Sequence, residues 1–168
     1  MTDTAREVFA RLDAMGIEYE YVEHPPVHTI AECADTDASL GAVTAKNYFL
    51  TTKNRGRFFL CLVRPDVRLR TSDISRQAGS SRLSFAGEAD LFSHLRVHPG
   101  AVSPMGLMFD EARDVELLVD SGLTQVHKLA FHPCDNTCTL AMRASDFFER
   151  FLPAIGREAR FVEPHDFQ

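Results

Sequence analysis

The sequence predicts a single α+β domain over residues 1–168, with a central mixed β-sheet flanked by helices. Three observations carry this. Segments rich in β-branched and aromatic residues cluster in the middle of the chain, at 43–52, 58–63, 115–119, 128–131 and 137–142. Segments with helical apolar spacing flank them. The strands do not alternate regularly with helices, so a βαβ repeat fits less well than a mixed sheet. At 168 residues, 45% hydrophobic and 25% charged, the chain can bury a core without staples.

Residues 4–15 place Val8, Phe9, Leu12 and Met15 on one helical face, and Gly16 stops the helix. The alternation I-E-Y-E-Y-V at 17–22 is a half-exposed strand, broken by His24-Pro25-Pro26. Thr29 with Glu32 three residues on is a capping box for a helix toward Leu40, which Gly41 ends. Residues 43–52 read as one strand, with Val43, Ala45, Asn47 and Phe49 on one face and Thr44, Lys46, Tyr48 and Leu50 on the other. It forms a hairpin with 58–63, and Gly56 is expected to supply the unusual backbone angle of the turn.

After the turn at Arg64-Pro65-Asp66, a short helix opens at Thr71-Ser72-Asp73 and ends near Gly79. A brief strand at 82–85 and a two-turn helix at 88–95 follow. Two prolines and two glycines within 98–106 exclude regular structure and make a stiff loop. Ser121-Gly122 is a turn, and residues 132–136 join the strands at 128–131 and 137–142. A helix opening at Ser145 and Asp146 turns Phe147, Phe148, Phe151 and Leu152 inward until Pro153 kinks or ends it. A last short strand at 160–162 precedes a polar tail.

Composition narrows the chemistry. A net charge of -6 does not attract nucleic acid as a whole, and no basic recognition helix argues for duplex DNA. No apolar run reaches membrane-spanning length. Cys33, Cys61, Cys134 and Cys138 are unevenly spaced, as expected of free thiols in a reducing cytoplasm. Cys134 and Cys138 beside His132 lack the second ligand pair of a zinc site, so no metal is expected. G-x-S-x-G, H-E-x-x-H and the common glycine-rich phosphate loops are missing. His24, His28, His94, His98, His127 and His165 have no obvious partner. His132 ends a strand at a Pro-containing turn, where it either lines a cleft or is a satisfied structural histidine. Lys46 lies within a strand whose neighbours look buried. Its ammonium either snorkels to solvent or holds an anion in a pocket, because an unpaired buried charge is costly.

Three motifs in order, A-K-N-Y-F-L at 45–50, G-A-V-S-P at 100–104 and A-F-H-P-C-D-N at 130–136, together resemble the bacterial prolyl-tRNA editing superfamily, the YbaK/ProX group. The resemblance spans nearly the whole chain, including H-P-P-V-H-T-I-A-E at 24–32, and is strongest to the free-standing type that deacylates alanyl-tRNA(Pro). It implies a cytoplasmic trans-editing hydrolase without cofactor that works on the 3′ aminoacyl end of tRNA(Pro). A prolyl-tRNA synthetase or an elongation factor is a further partner to test. It also implies catalytic roles for Lys46, Gly100 and His132. Asn47 and the loop residues Ala101, Val102, Ser103 and Pro104 would bind substrate, with Val27, Ile30 and Phe49 as pocket walls. Lys46 would hold phosphate, backbone N–H groups of the Gly100 loop would stabilise an oxyanion, and the tRNA 2′-hydroxyl would assist the attacking water. Two readings compete: a non-catalytic module that binds tRNA ends, and a deacylase for another mischarged tRNA such as Cys-tRNA(Pro).

Overall fold

A computed structural model describes residues 1–164. The strands are β1 (Glu20–Glu23), β2 (Val43–Thr44), β3 (Lys46–Thr52), β4 (Phe58–Val63), β5 (Leu83–Phe85), β6 (Val115–Asp120), β7 (Lys128–Phe131), β8 (Cys138–Arg143) and β9 (Ala159–Val162). The α-helices are α1 (Asp3–Ala14), α2 (Ala34–Leu40), α3 (Thr71–Ala78), α4 (Glu88–Leu95), α5 (Ala144–Asp146) and α6 (Leu152–Ala154). A π-helical turn over Phe147–Phe151 joins the last two. The α+β class holds, and the strands divide between two mixed sheets. One has the order β1-β8-β7-β2 and the other β5-β3-β4-β6-β9.

The division explains the packing. β4 is buried along its whole length, as a central strand covered on both faces must be. Phe58, Leu60 and Leu62 face the main core, which they share with Leu129, Phe131, Leu140 and Met142 of the other sheet. Phe59, Cys61 and Val63 face a second core closed by Ile74 and Ala78 of α3. Each buried Leu or Phe side chain contributes roughly 1.5–3 kcal/mol relative to exposure. α1 adds Val8, Phe9 and Leu12 to the main core. The outer face of the four-stranded sheet is covered by Leu40 of α2 against Ala130 and Ala141.

Local signals act where expected at several ends. Gly16, Gly41 and Gly79 all have positive φ after their helices. The capping box forms: Glu32 accepts from the backbone N–H groups of His28 at 2.7 Å and Thr29 at 2.8 Å. Three expectations need correction. Residues 43–52 are not one strand, because the backbone leaves one sheet after Thr44 and enters the other at Lys46, with buried Ala45 at the crossing. In the β3–β4 turn the positive φ falls on Arg55, not Gly56, because Asn54 Oδ1 accepts from the Gly56 N–H at 2.9 Å and sets the turn one residue earlier. The 98–106 loop is regular at its far end: Ser103 caps a 3-10 helix over Pro104–Met108, its Oγ accepting from Met105 N at 3.1 Å. Pro104 starts that helix, where a missing N–H does no harm. Among the described residues no helix is long and apolar enough to cross a membrane.

Candidate active site

A half-open cavity of about 310 Å³ lies at the seam between the sheets. Thr44, Ala45, Lys46 and Asn47 line it where the chain crosses. The β1–α2 connection supplies Val27, His28, Thr29 and Ile30. Gly100 and Val102 come from the stiff loop, and His132 from the end of β7.

Each position has a local cause. Lys46 opens β3, and its Nζ donates to Val67 O at 3.0 Å, leaving two of the three ammonium donors of a lysine for other partners. Among the described residues it makes no ion pair, so an uncompensated cation lines the cavity. Asn47 Nδ2 donates to Ala45 O at 3.0 Å and so braces the crossing. Its Oδ1 is buried without a partner. An orphaned acceptor costs about 1–3 kcal/mol until a donor reaches it.

Val27 and Asn136 hold the β1–α2 connection by two bonds: Val27 N donates to Asn136 O, and Asn136 Nδ2 to Val27 O, each at 3.2 Å. Gly100 fits against this brace with φ +89. A Cβ there would sit 3.2 Å from His28 Nδ1 and 3.5 Å from Asn136 Nδ2. The Ala101 N–H donates to His98 O at 3.1 Å, whereas the N–H groups of Gly100 and Val102 have no acceptor among the described residues.

His132 donates from Nδ1 to Cys138 O at 2.9 Å, which leaves Nε2 as the acceptor of a neutral ring. Burial pushes its pKa below the ordinary 6.5, and nearby His24 lowers it further, against the Cys138 carbonyl. Asp37 accepts from Thr44 N at 3.2 Å and from the Thr44 hydroxyl, fixing the end of β2. Burial raises the pKa of that carboxyl. Burial also raises the Cys33 thiol, so this lining residue is not a ready thiolate.

The cavity thus gathers Lys46, Asn47, Gly100, Val102, His132, Val27 and Ile30 from the residues singled out in the sequence. It leaves out four. Phe49 is buried in the main core, 5.5 Å from Phe58 and 5.8 Å from His94 between ring centroids, because it lies about 7 Å further along the strand than Asn47. Ala101, Ser103 and Pro104 are buried and shape the loop without lining the cavity. His28, Thr29, Cys33, Thr44, Ala45 and Tyr48 were missed. Two-residue alternation from Lys46 points to Tyr48. The same alternation places Thr44 on the face of Lys46, and nothing local points to Cys33.

Other histidines do have partners. His24 Nε2 meets Thr139 Oγ1 at 2.7 Å, and the His94 ring lies tilted with its centroid 4.1 Å from that of Phe58. The His98 ring lies 5.3 Å from that of Phe92. His165 lies outside the described residues. Among the described residues no three His, Cys, Asp or Glu side chains gather as metal ligands.

A cation, uncommitted backbone donors and a neutral imidazole acceptor around one cavity suit an ester beside a phosphate. Of the lining side chains, the Thr44 hydroxyl donates to Asp37, which fixes the end of β2. Residues 24–149 match the family model for the aminoacyl-tRNA editing domain, a stretch that includes every cavity residue. The chain belongs to the aminoacyl-tRNA editing domain family. An editing domain is a hydrolase of the ester that joins an amino acid to tRNA. Over 161 residues, the chain is 33% identical to the prolyl-tRNA editing protein ProX of Acetoanaerobium sticklandii, covering 96% of this chain and 98% of that protein. It is 36% identical over 155 residues to prolyl-tRNA synthetase associated domain-containing protein 1 of Danio rerio, covering 89% and 82%. The editing fold is matched by the crystal structure of a candidate trans-editing enzyme for prolyl tRNA synthetase, with TM-score 0.74, 16% identity and coverage of 98% and 99%.

Proposed function

We propose that this editing domain acts in trans on mischarged tRNA(Pro) and removes alanine. The observation that carries the reading is the uncompensated Lys46 facing the Gly100 loop and neutral His132 across one small cavity. The names of the relatives support tRNA(Pro).

In this reading Lys46 Nζ binds the phosphate of the terminal adenosine, and the aminoacyl group enters between Val27, Ile30 and His132. The Nε2 lone pair of His132 accepts from the α-ammonium, and Asn47 Oδ1 is a second acceptor within the same wall. Water attacks the ester carbonyl, helped by the tRNA 2′-hydroxyl. The Gly100 and Val102 N–H groups meet the developing oxyanion without reorganising. The C–O bond then breaks, the ribose oxygen takes the proton, and free amino acid leaves. A synthetase pocket made for proline cannot strongly reject a smaller apolar residue, because each methylene is worth only about 1–3 kcal/mol. A second, smaller pocket removes that error by excluding proline. The reading implies a cytoplasmic site of action and handover of charged tRNA by a synthetase or elongation factor.

The test is release of labelled amino acid from Ala-, Cys-, Ser- and Pro-tRNA(Pro), with wild type and Lys46→Ala. Loss of alanine alone, abolished in the variant, is expected. Loss of cysteine instead keeps the chemistry and changes the sieve, and binding without any turnover overturns the deacylase reading.

A further inference from the structure

The cavity leads into a second surface along β3. Tyr48 lines the cavity, and its ring centroid is 5.8 Å from that of Phe85, the last residue of edge strand β5. Phe85 is 63% exposed, unusually open for a phenyl ring. It lines a neighbouring hollow of about 430 Å³ with Arg68, Leu69 and Arg70. The Lys46 bond to Val67 O ties the segment that carries these arginines to the cavity's own cation. Arg68 is exposed and, among the described residues, has no carboxylate partner. On a chain of net charge -6, an open aromatic ring beside an uncompensated guanidinium selects for a flexible polyanion with flat faces. Single-stranded nucleic acid has that chemistry: bases stack on aromatic rings while cations track the backbone.

We infer that Phe85, with Tyr48 and Arg68, seats the unpaired nucleotides that precede the terminal adenosine of the tRNA 3′ end. Bases lie against the Phe85 and Tyr48 rings, and Arg68 meets a phosphate. This rests on the reading that the cavity takes the aminoacyl-adenosine, which would thread those nucleotides past Tyr48. Charge complementarity selects RNA over an apolar peptide.

The experiment measures anisotropy of a short fluorescent single-stranded RNA with the tRNA 3′ sequence, across a salt titration, using the full chain. Phe85→Ala should weaken binding about tenfold, and Phe85→Trp should retain it. Arg68→Gln should reduce the magnitude of the slope of log K against log salt by about 0.7. Both Phe85→Ala and Arg68→Gln should raise KM for Ala-tRNA(Pro) while hydrolysing 3′-alanyl-adenosine, which lacks the upstream nucleotides, at the wild-type rate. Unchanged RNA affinity in these variants overturns the seat, as does equal loss on alanyl-adenosine or Phe85-dependent self-association by sedimentation. RNA binding through Phe85 without turnover of any charged tRNA upholds the seat and refutes the deacylase.

Discussion

Gly100→Ala tests whether the loop backbone organises the site. Gly100 has φ +89, beyond the small left-handed well near +50 to +70° that L-residues tolerate. Holding alanine there costs about 1–2 kcal/mol in backbone strain alone. The new methyl would also lie 3.2 Å from His28 Nδ1 and 3.5 Å from Asn136 Nδ2. His28 is exposed and can swing away, whereas Asn136 is engaged with Val27 O. Total destabilisation of about 2 kcal/mol lowers Tm by about 4–8 °C for a chain of this size. If the loop instead relaxes to negative φ, the Gly100 and Val102 N–H groups move. If these groups meet the oxyanion as proposed, loss of one lowers kcat by about 10²–10³-fold. Thermal unfolding and single-turnover deacylation, measured together, therefore show either strain or lost rate. A variant with wild-type Tm and wild-type rate refutes the reasoning, because neither the backbone angle nor the donors would then matter.

Three further outcomes are expected. His132 has its pKa held below 6.5 by burial, so the unfolded chain binds more protons as pH falls under about 6.5. Its contribution to stability is full above that pH and is lost as pH falls through the depressed folded value. Denaturant titrations should show His132→Gln flattening this acid limb, and deacylation should fall in the same window. Asp120 is fully buried and accepts from Arg64 N at 3.0 Å, Arg64 Nε at 2.7 Å and Gly122 N at 3.0 Å. Asp120→Ala should cost roughly 2–4 kcal/mol in chemical denaturation, and KM should not change in what still folds. Glu32→Ala releases the two N–H groups of the cavity rim, so KM for charged tRNA should rise more than kcat changes, in a steady-state titration.

Much of the fold is legible because local signals agree with it. The glycine stops at 16, 41 and 79, the capping box at Thr29 and Glu32 and the β3–β4 hairpin each follow from short-range chemistry. The break at Ala45 is not legible. Residues 43–52 are continuous strand formers, and only the partners available decide that β2 joins β7 while β3 joins β4. The same break explains the partial reading of the site. Lys46 and Asn47 stand at the crossing, but Phe49, two positions on, is already beneath the sheet surface. Ser103 looks like a binding hydroxyl in sequence, yet its oxygen is committed to the 3-10 cap. The brace between Val27 and Asn136 joins segments far apart in the chain, so no local pattern announces it.

That brace has a bearing on how such a pocket can diverge. Val27 and Ile30 are half-buried and stand outside all three hydrophobic cores, on a connection fastened mainly through backbone and amide bonds. Exchanging either side chain for a larger or smaller one changes the room in the cavity while leaving the layers and the placement of Lys46, Gly100 and His132 as they are. If the cavity takes the amino acid as proposed, lineages can drift from one mischarged residue to another by steps that selection for folding scarcely sees, while Lys46, Gly100 and His132 stay in place.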